Sequence, residues 1–141
     1  MSEQYKIAAQ NLIEQGFNQK DPAALDAYFS PKLTDHALPP GLPAGQVGRK
    51  MFFSDFLAAF PDIHVHIEDM FAEGDKLVTR WSAHGTHNGE LMAIPPTGRE
   101  VSIGGIAIDR FENGQSVEHW EIFDQMGLMQ QLGVIPAPQA G

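Results

Sequence analysis

The sequence has no cysteine among its 141 residues. Disulfide bonds, thiolate nucleophiles and metal sites built on cysteine are therefore excluded. It also has no run of about eighteen consecutive apolar residues, the length that a membrane-spanning helix needs, so we expect no membrane partner. Its first residues do not show the basic and then apolar pattern of a signal peptide, so the expected location is cytoplasmic.

Basic residues are scarce as well. Nine Lys and Arg residues stand against eighteen Asp and Glu, which gives a formal net charge of −9. Because the basic residues are scattered along the chain, nucleic acid is a poor partner for it and a small molecule is the expected one. Apolar residues make up 43% of the chain, enough for one packed core. We therefore expect a single domain over residues 1–133 and a flexible, Pro- and Ala-rich tail over 134–141.

Helical periodicity is found in the first half of the sequence and at its end. Apolar residues three to four positions apart predict a helix over 2–18. The pair Asp21-Pro22 is typical of a helix start and predicts a short helix over 22–29. A third helix is predicted over 48–60 and a short closing helix over 125–132.

Apolar and polar residues alternate in most of the second half, which indicates strands. The predicted strands are 32–38, a run that starts at residue 62 and turns at Glu73-Gly74-Asp75, 77–87, 101–111 and 116–124. Asn113-Gly114 is a strong hairpin signal between the last two. Helices followed by an antiparallel meander predict an α+β domain, with helices packed on one face of a curved sheet.

The hairpin predicts a register if Asn113 and Gly114 are its two turn residues. The cross-strand pairs are then Ala107 with Trp120, Gly105 with Ile122, and Ile103 with Asp124. In this register Trp120, Ile122 and Asp124 share one face. Small residues opposite a tryptophan leave space, so we expect an apolar cavity with one carboxylate inside it.

Asp124 has two interpretations. A carboxylate beside Ile103, Ile122 and Leu128 would be desolvated and suited to general acid/base catalysis. Asp124 also stands immediately before the closing helix, where its oxygen could cap the first amides. Both roles stay open at this point.

The six histidines raise the question of a metal site. His64 and His66 share a strand face, but Met70 and Phe71 occupy the positions where a cupin-type site needs a glutamate. His84 and His87 lie three apart on a strand, so their rings should point to opposite faces. We therefore expect no metal, and we expect His64 and His119 to lie on a solvated strand face.

His36 and His87 are the histidines with the strongest functional placement. Each lies where a predicted strand meets a Pro-rich loop, beside the mouth of the expected cavity. Arg80 is a further polar group that could serve the same pocket.

Several short motifs together resemble the SnoaL-like polyketide cyclase family. They are Asp35-His36, Phe60-Pro61-Asp62, Gly85-Thr86-His87, Pro95-Pro96-Thr97-Gly98, the hairpin from Arg110 to Gly114, Glu118-His119-Trp120 with Asp124, and Gln131-Leu132-Gly133. The resemblance spans most of the chain.

The resemblance implies a ketosteroid-isomerase-like cone: three helices against a strongly curved, mostly antiparallel sheet that encloses an apolar pocket. In the founding cyclases a pocket aspartate near the end of the last strand is the acid/base of an intramolecular aldol ring closure, without metal or cofactor. Asp124 resembles that aspartate. Those cyclases also carry a pocket histidine on the strand before the hairpin, where this chain has Asp109 and Arg110.

The resulting hypothesis is a cofactor-independent lyase or isomerase acting on a small apolar carbonyl compound. Asp124 would move the proton, Trp120 and Ile122 would orient the substrate, and His36 or His87 would stabilise the oxyanion. The alternatives are an epoxide hydrolase or dehydratase in the same pocket, and a non-catalytic binding or dimerisation domain. The apolar residues Ile106, Ile108 and Phe123, expected on the face opposite Asp124, predict a homodimer or higher homo-oligomer.

Overall fold

The computed structural model describes residues 2–136. This part of the chain forms four α-helices: α1 Ser2–Asn11, α2 Ala23–Tyr28, α3 Gly45–Ala59 and α4 Gln125–Leu132. A π-helical segment, Leu12–Asn18, continues α1. The strands are β1 Phe29–Asp35, β2 His64–Glu73, β3 Lys76–Thr86, β4 Glu100–Glu112 and β5 Gln115–Phe123. No helix within residues 2–136 is long and apolar enough to cross a membrane.

The strands of residues 2–136 form one sheet in the order β1-β5-β4-β3-β2. The neighbours from β2 to β5 pair antiparallel, whereas β1 lies parallel to β5. Helices α1, α2 and α3 pack on the sheet, and α4 is a fourth helix that packs against β4. The predicted α+β class, with helices on a mostly antiparallel sheet, is confirmed. Residues 137–141 of the predicted tail lie outside the described residues.

The first strand begins earlier than the sequence predicts. Phe29 already has extended backbone angles, φ −94° and ψ 130°. It pairs with Ser116 of β5, and the pairing continues to Asp35 opposite His119. The chain therefore passes directly from α2 into the sheet, because a parallel partner is available there.

The predicted hairpin turn is confirmed, but the register predicted from it is wrong. Asn113 and Gly114 both have positive φ, 52° and 81°, as a two-residue turn of this kind requires. After the turn the pairing shifts, since Phe111 pairs with Ser116 and Arg110 with Glu118. Val117 is thus an extra residue on β5, a β-bulge.

The bulge inverts the faces of β5 relative to the prediction. The observed pairs are Ala107 with Glu121, Ile106 with Ile122, and Gly105 with Phe123. Because side chains alternate along a strand, a shift of one residue moves each of them to the other face. His119, Glu121 and Phe123 consequently face the helices, and Trp120 and Ile122 lie on the outer face.

The outer face of the sheet carries exposed apolar residues in the β4–β5 half. Ile122 is 81% exposed and its partner Ile106 is 48% exposed. Ile108 lies beside them, as predicted, on this face. Phe123, which was also expected there, lines the cavity on the inner face instead.

Candidate active site

A cavity of about 140 Å³ lies between the helices and the inner face of the sheet. Most of its wall is apolar. The apolar lining includes Leu12, Ile13, Phe17, Phe52, Phe53, Phe56, Val65, Ile103, Ala107 and Phe123. Its polar lining is Tyr28, Arg49, Thr79, Trp81, Asp109, His119 and Glu121. An apolar cavity with a few converging polar groups is the usual form of a small-molecule site.

Asp109 of β4 is the centre of a buried hydrogen-bond network. Its Oδ2 accepts from the Tyr28 hydroxyl at 2.9 Å, and its Oδ1 accepts from Ser116 Oγ at 2.7 Å. Oδ1 also accepts from His119 Nδ1 at 2.7 Å. Both oxygens of this buried carboxylate are therefore held by donors, so Asp109 is fixed in place.

His119 of β5 lies between two carboxylates. Its Nδ1 contacts Asp109, and its Nε2 lies 3.0 Å from Glu121 Oε1. Burial alone would lower the pKa of His119, but the charges and hydrogen bonds of Asp109 and Glu121 outweigh it and raise the pKa to about 10. At neutral pH the ring is an imidazolium that donates from both nitrogens.

The buried phenol of Tyr28 stays neutral beside Asp109. Burial, together with the charge of Asp109 and the hydrogen bond to it, raises the pKa of Tyr28 well above its ordinary value. Tyr28 therefore remains a hydrogen-bond donor to Asp109 throughout the neutral range.

Arg49 of α3 holds the second part of the network. Its Nε and Nη2 donate to Asp35 at 2.7 and 3.1 Å, a two-pronged ion pair. Burial would raise the pKa of Asp35, but the hydrogen bonds and charge of Arg49 outweigh it and lower that pKa. The third nitrogen, Nη1, lies 3.9 Å from Glu121 Oε1, beyond hydrogen-bond distance.

The chain of charges thus runs Asp35, Arg49, Glu121, His119, Asp109. Both contacts of Glu121 involve Oε1, and no residue within 2–136 hydrogen-bonds to its Oε2. Glu121 is also the least enclosed of the three carboxylates, with a side chain 20% exposed. One carboxylate oxygen and one guanidinium nitrogen are therefore left for a molecule in the cavity.

Trp81 of β3 contributes an unusual wall. Its indole packs over Gly105, where an added Cβ would come within 2.7 Å of the ring. Its Nε1 is buried and has no hydrogen-bond partner within the described residues. A buried donor without a partner is costly, which is consistent with a ligand oxygen as the missing acceptor.

The structure brings two of the predicted pocket residues to the cavity, Ile103 and Ala107. Gly105 shares their face but is covered by Trp81. Trp120 and Ile122 lie instead along a shallow groove on the outer face. Arg80 is exposed and pairs with Asp69, with Nη2 at 2.7 Å from Oδ2. The register shift accounts for the misplacement of Trp120 and Ile122.

Asp124 does not face the cavity, which corrects the expectation drawn from the register. It is exposed and caps α4, since its Oδ1 accepts from the Gly127 amide at 2.9 Å. Of the two interpretations of Asp124, the structure places the residue in the geometry of the cap.

His36 and His87 are also outside the cavity lining. His36 stacks on Trp120, with ring centres 5.2 Å apart, and its Nε2 lies 2.7 Å from Glu118 Oε2. His87 is 0% exposed, and its Nδ1 accepts from the Thr97 amide at 3.2 Å. His36 therefore belongs to the outer face and His87 to the core near the Pro-rich loop.

The sequence contained a signal for Asp109 and none for His119. Asp109 has the same parity on β4 as the predicted pocket residues Ile103 and Ala107, whereas His119 has the parity of the inner face only once the bulge on β5 is known. Without the bulge, His119 was expected on a solvated face, which is wrong. The parallel pairing of β1 with β5 places Asp35 opposite His119, and Arg49 of α3 joins the site through its ion pair with Asp35.

Comparison with known proteins identifies the family. A family model described as SnoaL-like polyketide cyclase matches residues 7–132. A comparison with curated proteins found no match. Among solved structures, TsrD from Streptomyces laurentii is 28% identical with a TM-score of 0.87, over 94% of this chain and 97% of that one.

Two further structures are described as candidate polyketide cyclases. IdmH from Streptomyces antibioticus is 33% identical, with a TM-score of 0.80 over 92% of this chain and 99% of that one. A protein from Bacillus cereus is 30% identical, with a TM-score of 0.80 over 94% of this chain and 82% of that one. The family model and the shared fold agree, and the chain therefore belongs to the SnoaL-like polyketide cyclase family.

Proposed function

We propose that the protein is a cyclase-type enzyme that moves a proton next to a carbonyl group in a small apolar substrate, with Glu121 as the general base and Arg49 as the oxyanion donor. The observation that carries the proposal is the pairing of two free atoms in an apolar cavity. Glu121 Oε2 is free to accept a proton, and Arg49 Nη1 is free to donate to an oxygen. A base and an oxyanion donor side by side are what enolate formation requires.

The proposed step conserves all atoms. Glu121 takes a proton from the carbon next to the carbonyl, and the C–H electron pair forms the enolate, whose oxygen accepts from Arg49. The enolate carbon attacks a second carbonyl of the same molecule and closes a ring. The resulting alkoxide takes the proton back from Glu121, so the product is an isomer of the substrate.

Asp109 and His119 act by holding Glu121 and its negative charge in place. Asp109 is a poor base because three donors already occupy its oxygens. His119 is protonated at neutral pH, since its pKa is about 10, and cannot accept a proton there. Its positive charge instead stabilises the negative charge that develops on the substrate.

The family supports the same chemistry with an exchange of residue types. The resemblance implies that the founding cyclases carry an aspartate near the end of the last strand and a histidine on the strand before the hairpin. In this chain the strand before the hairpin carries Asp109 and the last strand carries His119. We propose that this exchange leaves Glu121, two residues further along β5, as the group that faces the substrate.

The test uses α-tetralone, an apolar ketone, in D₂O. Exchange of its C2 protons for deuterium is followed by ¹H NMR at neutral pD. Because general acid/base catalysis contributes roughly 10²–10⁴-fold, Glu121→Gln should lower the enzyme-dependent rate by on the order of a hundredfold or more. Wild type that exchanges no faster than buffer would contradict the proposal.

Two matched variants separate the roles of the carboxylates. Glu118→Gln changes the same residue type on the same strand, but Glu118 bonds to Arg110 and His36 outside the cavity. Asp124→Asn removes the carboxylate that the sequence favoured. Both variants should keep the wild-type exchange rate. A loss of exchange confined to Asp124→Asn would instead identify Asp124 as the general base.

A second candidate is hydration, as in an epoxide hydrolase. The row of charged side chains Asp35, Arg49 and Glu121 favours hydration, because a guanidinium between two carboxylates can hold a water-activating base in place. The two candidates differ in their products. Conversion of styrene oxide in labelled water to a diol that carries one ¹⁸O, lost in Glu121→Gln, would support hydration, and its absence would leave the cyclase-type reaction.

A further inference from the structure

Three histidines lie together on the outer face of the sheet, away from the cavity. His64 and His66 are two apart on β2 and therefore share a face. His84 of β3 is the direct cross-strand partner of His64. The ring centres are 4.5 Å apart for His64 and His66, 5.7 Å for His64 and His84, and 5.6 Å for His66 and His84.

These spacings match those of three ligands around one metal ion. Imidazole nitrogens bind Zn²⁺ at about 2.0–2.1 Å with tetrahedral angles, which puts the ring centres roughly 5 Å apart. We propose that His64, His66 and His84 form a binding site for a divalent transition-metal ion such as Zn²⁺, with water in the fourth position.

Binding requires the rings to turn. Within residues 2–136 no group of three His, Cys, Asp or Glu side chains already stands in position to hold a metal ion. His66 and His84 are exposed and His64 is half-buried, so the backbone can stay in place while the side-chain torsions change. The strands supply the fixed part of the geometry, since the pairing of β2 and β3 sets the distances between the three Cβ atoms.

The surroundings favour a cation. Glu68 follows on the same strand, and its Oε1 accepts from Ser82 Oγ at 2.6 Å, while Ser82 is the cross-strand partner of His66. A carboxylate therefore lies close to the three rings on a chain of net charge −9. A site made of imidazole nitrogens beside a carboxylate suits Zn²⁺, Ni²⁺ or Cu²⁺ better than Mg²⁺ or Ca²⁺.

Sequence spacing alone does not reveal this group. The pairs that the sequence presents, His64 with His66 and His84 with His87, do not complete a site within one strand. The third ligand comes from the neighbouring strand, and only the register of β2 with β3 places it opposite His64. The site lies on the opposite face of the sheet from Asp109 and His119, so it is independent of the proposed reaction.

The test is a calorimetric titration of the full chain with ZnCl₂ in a buffer that does not chelate metals. We expect one Zn²⁺ per chain. Each of His64→Gln, His66→Gln and His84→Gln should weaken binding by at least about tenfold, because changes even outside the ligand shell cost about 10–100-fold. Co²⁺ in place of Zn²⁺ should give the visible absorption of a tetrahedral site.

The matched control is His36→Gln, which removes another exposed histidine from the outer face. It should keep the wild-type affinity for Zn²⁺. Equal weakening in His36→Gln, unchanged affinity in the three test variants, or a stoichiometry other than one would overturn the proposal. Thermal unfolding without metal shows whether each variant folds. If one of the three test variants does not fold, the other two decide the outcome.

Discussion

His119 links the charge of the cavity wall to the stability of the fold. Its pKa is about 10 in the folded protein, against an ordinary value of 6.5. A group whose pKa is raised by folding stabilises the protein fully below the unfolded pKa and loses that contribution as the pH rises through the folded pKa. The contribution of His119 should therefore be complete below about pH 6.5 and lost by about pH 10.

The measurement is the free energy of unfolding by urea between pH 6 and pH 10, for wild type and His119→Gln. The difference between the two proteins should shrink by several kcal/mol as the pH rises, because a shift of one pKa unit corresponds to about 1.4 kcal/mol. Subtracting the variant removes the titration of distant groups. A difference that stays constant over this range would show that His119 is not charged in the folded state.

Gly105 is required by its neighbour and not by its backbone angles. A Cβ at Gly105 would lie 2.7 Å from Trp81 Cζ2 and 2.8 Å from the Ile122 carbonyl oxygen, closer than atoms can approach. Gly105→Ala should therefore push the indole of Trp81 into the cavity and destabilise the fold by about 1–3 kcal/mol.

Gly104 supplies the control for this change, since a Cβ there would meet its nearest neighbour at an ordinary 3.4 Å. Gly104→Ala should leave the free energy of unfolding and the tryptophan fluorescence close to those of wild type. Similar losses in both variants would mean that a general intolerance of this strand, and not Trp81, sets the requirement.

At the scale of elements, Asp124 acts on α4. Its carboxylate accepts from the Gly127 amide and satisfies one of the free donors at the start of that helix. Asp124→Ala should lower the free energy of unfolding by about 1 kcal/mol, a typical cost for the loss of such a cap. Asp124→Asn, which keeps a cap acceptor, should cost less in the same urea titration, and equal losses would contradict the cap assignment.

Asn18 fastens the end of the π-helical segment to the edge strand β2. Its Oδ1 accepts from the Val65 amide at 2.8 Å, and its Nδ2 donates to the Val65 carbonyl at 3.0 Å. The side chain thus replaces the missing strand partner of β2 at this point. Asn18→Ala leaves two backbone groups without a partner and should cost about 1–3 kcal/mol. Asn11→Ala, at an exposed position of α1, should cost much less in the same assay.

The elements were largely predictable, and the wrong orientation of the β5 side chains has a single cause. Amphipathic periodicity predicts α1, α3 and α4, and alternation with Asn113-Gly114 predicts the last hairpin, because these signals are local. The bulge at Val117 has no such signal, as nothing in the sequence around it differs from an ordinary strand. An error of one residue in the predicted register was enough to place Trp120 on the inner face and His119 on the outer face in the prediction.

The site was less predictable than the fold. Ile103 and Ala107 were found because β4 itself was assigned correctly. Arg49 and Asp35 could not be found, since their place depends on the parallel pairing of β1 with β5, which joins distant parts of the chain. Local patterns carry no information about that pairing.

At the scale of the whole molecule, we propose that a second copy of the chain covers the β4–β5 half of the outer face. Ile106 and Ile122 are direct cross-strand partners and both are exposed, which makes a compact apolar patch on an acidic molecule. A patch that contacts its own copy across a two-fold axis is self-complementary and closes as a dimer.

Light scattering at micromolar concentration should give about twice the chain mass of 15.5 kDa. Ile122→Glu should shift the protein to the mass of one chain, because the added charges would oppose each other in the contact. Wild type at a single-chain mass would rule out the dimer.

The parallel strand β1 has a consequence for how the protein reaches its active form. Tyr28 bonds to Asp109 across 81 positions of sequence, and His36 to Glu118 across 82. Contacts this far apart are expensive in loop-closure entropy and form late in folding. Within the cavity network, the bonds of Asp109 to Ser116 and His119 span only 7 and 10 positions and can form with the β4–β5 hairpin, whereas Tyr28 must come from the first third of the chain. Catalytic competence should therefore emerge only in the slowest folding phase, when the first and last thirds of the chain have met.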